Sequence, residues 1–101
     1  MNRQFMRQAQ QLQARLAKAQ EELESETVEA TAGGGVIRVV ITGKLKLESI
    51  NIDPQTVDPN DVEMLEELVL AAVNEGLQKA QDHAQQKLGG LTSGINIPGL
   101  G

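Results

Sequence analysis

The chain has 101 residues, enough for one domain, and 40% of them are hydrophobic; Phe5 is the only aromatic, so any core must be aliphatic. It has no cysteine, which excludes a disulfide framework, a thiolate metal site and a thiol nucleophile, and fits a reducing cytoplasm. The net charge of −5 would argue against a polyanionic partner if it were evenly spread, but it is not.

Residues 1–20 carry Arg3, Arg7, Arg15 and Lys18 and no acid, whereas Glu21, Glu22, Glu24, Glu26 and Glu29 follow with no base between them. Between Lys46 and Lys79 the acids accumulate unopposed. The middle is therefore acidic and the two ends lean basic. No run approaches the roughly 18 apolar residues of a membrane span. The N-terminus is glutamine-rich and periodic and lacks the apolar stretch of a secretory signal.

The first predicted element is a helix over about Asn2 to Glu24. Phe5, Ala9, Leu12, Leu16, Ala19 and Leu23 recur at alternating steps of four and three, forming one apolar seam. At about 100° per residue, Arg3, Arg7, Arg15 and Lys18 fall on the side away from it. Bases near the N-terminal end and acids near the C-terminal end oppose the macrodipole, at a few tenths of a kcal/mol per charge. An arrangement that costs the helix something points to a partner; the alternative is solvated surface charge.

Three strands follow. Val28, Ala30 and Ala32 alternate with polar residues, and Gly33-Gly34-Gly35 makes a turn. Val36 to Thr42 is β-branched almost throughout and reads as a strand buried on at least one face. Gly43-Lys44 forms the second turn. Leu45 and Leu47 alternate before the phase slips to Ile50 and Ile52, so a bulge is expected near Glu48-Ser49. Turns this short predict an antiparallel meander.

Asp58 as cap and Pro59 at the first helical position predict a second helix, running to about Leu88, where Gly89-Gly90 stops it. Val62, Leu65, Val69, Ala72 and Gly76 form one apolar line, suited to covering the sheet. Leu70, Val73, Leu77, Ala80, Ala84 and Leu88 form another. Lys79, His83 and Lys87 continue the first line at steps of four, so that side changes from apolar to basic as the helix leaves the sheet. Residues 1–90 thus read as one α+β domain, α-β-β-β-α, and residues 91–101 as an apolar Gly/Pro-punctuated tail, either loosely ordered or strapped across an interface.

Helices of about 35 to 42 Å must overshoot strands of about 17 to 20 Å. A three-stranded sheet also leaves edges and a face to manage. Pairing two copies answers both, with Leu12, Leu16, Leu70, Val73 and Leu77 as candidate interface residues.

No catalytic constellation is present. His83 is the single histidine, so neither a Ser-His-Asp arrangement nor a histidine metal cluster is readily built. The P-loop pattern fails, with Arg38 and Leu45 where glycine and Ser or Thr would stand. No cofactor is expected, and one aromatic is too few for a base-stacking platform. What remains is a basic set, Arg3, Arg7, Arg15, Lys18, Lys79 and Lys87, among helix glutamines able to hydrogen-bond phosphates and sugars.

Met6-Arg7-Gln8-Ala9-Gln10-Gln11-Leu12-Gln13, Ala32-Gly33-Gly34-Gly35, Gly43-Lys44 and Ile50-Asn51-Ile52-Asp53-Pro54 resemble the YbaB/EbfC family of bacterial nucleoid-associated proteins. So do Asp61-Val62-Glu63-Met64-Leu65-Glu66-Glu67-Leu68 and Ala71-Ala72-Val73-Asn74, and in the tail Gly90-Leu91-Thr92-Ser93-Gly94 and Ile97-Pro98-Gly99-Leu100. The resemblance spans nearly the whole chain in order. It departs at Leu45 and Leu47, which make the third strand more apolar than expected, and at Ser93, which replaces a usual glycine.

The resemblance implies a tweezer-shaped homodimer that binds double-stranded DNA at the nucleoid, in the cytoplasm, and affects nucleoid organisation and gene expression. It brings no catalytic residues. The six basic residues are DNA-binding candidates chosen by charge and position. The competing class is a dimeric protein-interaction module, docking through the acidic body or the exposed seams onto proteins of replication or recombination. No membrane partner is expected.

Overall fold

A computed structural model describes residues 2–92. Among them, helix α1 (Arg3–Leu23) leads into strands β1 (Thr27–Ala32), β2 (Ile37–Thr42) and β3 (Leu47–Ile52), followed by helix α2 (Val62–Thr92). The strands form an antiparallel sheet in the order β1-β2-β3, which is the expected α-β-β-β-α meander.

The turns follow from their residues. Gly33, Gly34 and Gly35 all have positive φ, +64°, +74° and +100°, a run that only glycine adopts without strain. At the second turn the Thr42 hydroxyl accepts from the backbone N–H of both Lys44 and Lys46, at 3.2 Å each. The bulge lies where the phase slip placed it. Val40 pairs with Ser49 and Ile41 with Leu47, leaving Glu48 unpaired. The extra residue restores the register, so Leu47, Ile50 and Ile52 oppose Ile41, Val39 and Ile37 on one face.

That face is the core. Ile37, Val39 and Ile41 are fully buried, with Ala30 of β1 and Ala72 and Ala80 of α2. The α2 stripe is made of small residues because the helix lies close to the sheet. A Cβ on Gly76 would stand 2.6 Å from Ile41 Cδ1. The two apolar lines expected on α2 merge here. Leu65, Val69, Ala72 and Gly76 face the sheet as expected, but Ala80 joins them, and Val73 and Leu77 also pack against the core.

Both expected ends of α2 need correction. The side chain of Asp58 is occupied in a turn, accepting from Asn60 N at 2.9 Å, and Asp61 caps instead, accepting from Met64 N at 3.2 Å. The helix therefore begins at Val62. It also runs through Gly89-Gly90 to Thr92, with Leu88 and Leu91 half-buried. Burial along this stretch outweighs the roughly 1 kcal/mol that each interior glycine costs. The remainder of the expected tail, residues 93–101, lies outside the described residues.

Gly43 fixes where α1 meets the sheet. Its N–H donates to Glu26 O at 2.8 Å, and a Cβ there would stand 3.0 Å from the carbonyl oxygen of Leu23 and 3.1 Å from Leu23 Cβ. Neither atom is the free end of a side chain. Gly43→Ala should push the end of α1 off the hairpin and destabilise the protein by about 1–3 kcal/mol, the usual cost of overpacking. Urea unfolding followed by far-UV circular dichroism checks this; an unchanged midpoint would mean that this junction yields freely.

Candidate nucleic-acid interface

Three contacts align α1 and β1 against α2. Lys79 Nζ donates to Glu29 O, His83 Nε2 donates to Glu26 Oε1 at 2.7 Å, and Lys87 Nζ donates to Glu22 Oε2 at 3.0 Å. As α2 advances from 79 to 87, its partners retreat from 29 to 22. The segments are antiparallel, and Thr92 falls level with about residue 17. Some fourteen residues of α1, about 21 Å at 1.5 Å each, therefore extend past the described end of α2. Added to the length of α2, about 46 Å, this accounts for the 70 Å long axis of the molecule.

On this projecting arm every residue from Asn2 to Gln11 is exposed. The Asn2 side chain caps it, accepting from Gln4 N at 2.9 Å, and no acid lies in its first turn. Arg3, Arg7, Arg15 and Lys18 are all exposed, and none has an ion-pair partner among the described residues. The buried seam positions Ala19 and Leu23 lie on the other side of the helix. The predicted face of α1 is thus a stripe of unpaired guanidinium and ammonium groups. Such groups bind phosphate oxygens, with bidentate geometry available to the arginines.

The α2 candidates are placed differently. Lys79 is half-exposed, lies 3.8 Å from Glu75 and donates to Glu29 O. Lys87 is mostly covered, between Glu22 at 3.0 Å and Glu26 at 2.5 Å. The basic continuation of the α2 core stripe therefore faces the acids that end α1, and only the four α1 cations form one free set. In the sequence Lys44 stands out only as part of a turn. The hairpin places it on the rim of a shallow groove of about 470 Å³, with Gln81, Ala84 and Gln85 opposite. Its signal was present, a lysine at a tight turn, but nothing in the spacing showed what the turn adjoins.

A second surface is apolar. All six residues of β3 are exposed, although Leu47, Ile50 and Ile52 share the core face. Lys79 marks the flank of α2 that adjoins β1. The flank carrying Leu70, Val73 and Leu77 lies roughly 120–180° around the helix from Lys79 and faces the β3 side. Leu70 is 62% exposed. Leu12 and Leu16 are half-buried on α1, away from this shelf.

Among the described residues no cluster of His, Asp or Glu is arranged to hold a metal ion, and no helix is long and apolar enough to cross a membrane.

Residues 1–95 match the YbaB/EbfC DNA-binding family. A nucleoid-associated protein of Syntrophobacter fumaroxidans is 50% identical over 95 residues, covering 94% of this chain and 86% of the relative. One from Pelotomaculum thermopropionicum is 51% identical over 96 residues, covering 95% and 91%. Among solved structures, the uncharacterized protein HP0035 from Helicobacter pylori superposes with a TM-score of 0.72 at 18% identity, covering 85% of this chain and 91% of that one; this likeness concerns the fold alone. The chain belongs to the YbaB/EbfC DNA-binding family.

The cluster at the root of the arm predicts a pH response. The hydrogen bond from Lys87, then that from His83, holds the Glu26 carboxyl below its ordinary pKa. The bonds to Glu26, then Glu22, raise the pKa of Lys87. A depressed carboxyl contributes stability above its unfolded pKa, and this is lost as pH falls through the folded value. A raised ammonium contributes below its unfolded pKa, and this is lost as pH rises through the folded value. Glu26→Gln should flatten both the acid and the alkaline limbs of the urea midpoint against pH. Limbs as steep as in the parent protein would remove the cluster from the balance.

Proposed function

We propose that this member of the YbaB/EbfC DNA-binding family binds double-stranded DNA as a homodimer, largely through electrostatic contacts. In this reading it acts in the cytoplasm at the nucleoid, affecting nucleoid organisation and gene expression. The observation that carries the reading is the free cationic stripe Arg3, Arg7, Arg15 and Lys18 on a projecting arm. Relatives named as nucleoid-associated proteins support the setting. Lys79 and Lys87 join the contact set as secondary members, because reaching phosphate means exchanging carboxylate partners. No groove-reading helix pattern accompanies the stripe, so contacts go to the backbone and sequence preference is weak.

The homodimer is proposed on the apolar shelf. β3 is an edge strand with unpaired backbone groups on its outer side, and its core-face residues Leu47, Ile50 and Ile52 are only partly covered, each staying 38–40% exposed. A second copy seated on Leu47, Ile50 and Ile52 beside Leu70, Val73 and Leu77 would bury both. Leu12 and Leu16 lie off this shelf.

Two measurements test the reading. Anisotropy of a labelled duplex titrated at several salt concentrations should give a log–log slope of about −7 if eight arm cations per dimer each displace a counterion. Arg7→Glu/Arg15→Glu should weaken binding at least about tenfold and make the slope shallower by about 4, while leaving the dimer intact. A confirmed dimer that fails to bind even at low salt would move the assignment to a protein-interaction module acting through its acidic body with replication or recombination proteins. Separately, Ile50→Lys should give a helical monomer by sedimentation and circular dichroism. Persistence of the dimer would exclude β3 from the interface.

A further inference from the structure

Strand β1 ends the sheet on the side away from β3, and the bonding phase assigns its outer backbone groups. Gly43 N–H donates to Glu26 O at 2.8 Å, which sets the phase of the β1–β2 ladder. Bonded pairs alternate along antiparallel strands, so Val28, Ala30 and Ala32 turn their N–H and C=O groups towards β2. Thr27, Glu29 and Thr31 turn theirs outward, where no strand of this sheet lies. Lys79 reaches into that row from the flank of α2 beside β1. Its ammonium donates to Glu29 O at 3.2 Å, at the middle of the three outward residues.

We propose that Lys79 latches this edge, and that a phosphate of bound DNA, by drawing Lys79 away, frees it to pair antiparallel with β1 of a second copy. A charged side chain laid across an edge obstructs strand addition. This one is releasable. Glu29 O is a neutral acceptor, and the Lys79 side chain is 51% exposed with Glu75 3.8 Å away. A phosphate oxygen offers a charge-assisted bond, roughly twice as strong as a neutral one. The edge also fits itself. About a twofold axis at Glu29, Thr27 of each copy stands opposite Thr31 of the other, and every outward residue falls in a bonded pair. Paired threonines are favourable cross-strand neighbours. The like charges that meet at Glu29 are each engaged within their own copy, where Arg38 Nε donates to Glu29 Oε1 at 2.8 Å. No proline or glycine interrupts β1. This edge is distinct from the apolar shelf, which lies at the opposite side of the sheet. A homodimer built on the shelf keeps a β1 edge on each protomer, so pairing would extend into a row of dimers. The release step rests on the DNA-binding reading; the latch does not.

Sedimentation velocity without DNA tests the latch. Lys79→Ala should form species larger than the parent's, growing with protein concentration, while Lys79→Arg, which keeps a cationic donor, should match the parent. Adding Thr31→Pro to Lys79→Ala removes an outward N–H that the fold does not use, and should restore the parent's distribution with circular dichroism retained. A Lys79→Ala protein that sediments like the parent, or larger species that survive Thr31→Pro, would overturn the latch. The release step has its own readout. The chain has no cysteine, so Thr27→Cys/Thr31→Cys supplies the only thiols. With Lys79 in place, mild oxidation should give a ladder of disulfide-linked chains when a duplex is added and single chains without it. Equal ladders with and without a duplex that anisotropy shows to be bound, or none in either case, would overturn the release step. Absence of duplex binding would remove that step together with the DNA reading, and sedimentation then decides the latch alone.

Discussion

A helix of 31 residues over strands of six sets the terms for the rest of this molecule. The strands can cover roughly 20 Å of α2 and no more. The stretch of α2 beyond Ala80 runs past the sheet core and must find other cover. α1 supplies it, and only in part, because α1 also extends past its partner. The product is a short body with an arm, whose outer residues, Asn2 to Gln11, are all exposed among the described residues. Their identities are then free to serve a partner.

The charge distribution follows from the same geometry. On α1 alone, the acids at the C-terminal end look misplaced with respect to the macrodipole. The structure gives two of the carboxylates on this side, Glu22 and Glu26, to Lys87 and His83 of α2. These groups are partly exposed, so each ion pair contributes little to stability. Its greater effect is to fix the level at which α1 packs on α2. Charge arranged against one helix is thus arranged in favour of the pair. The bases at the N-terminal end of α1 receive no such partner, and their cost to the helix is uncompensated within the described protein.

Several features were legible because the governing physics is local. The β-branched run of β2, the triple glycine with its positive φ angles and the phase slip at Glu48 each specify backbone geometry within a few residues. The cationic face of α1 was legible because helical periodicity alone places Arg3, Arg7, Arg15 and Lys18 together. The start of α2 was not, since Asp58 and Asp61 are equally good caps in sequence and an Asx turn at Asn60 decides between them. Its end was missed because packing overrode glycine propensity at Gly89-Gly90. The engagement of Lys87 joins residues 61 and 65 positions apart, a separation that no spacing rule connects. The open face of β3 depends on where α2 sits over the sheet, which is a tertiary fact.

A net charge of −5 and an affinity for a polyanion are compatible only if the cations lie beyond the reach of the acids. The Debye length is about 8 Å at physiological ionic strength. Along the helix axis, Arg3 and Arg7 stand about 27 and 21 Å from Glu21, the first acid, well over two screening lengths. Arg15 stands about 9 Å from it and Lys18 less than one screening length. The field of the acidic body is therefore almost extinguished at the tip and still felt at the root. A phosphate approaching the tip meets the two arginines nearly unopposed, while one approaching Lys18 also meets Glu21 and Glu22. The length of α1, 21 residues, is what separates the two signs.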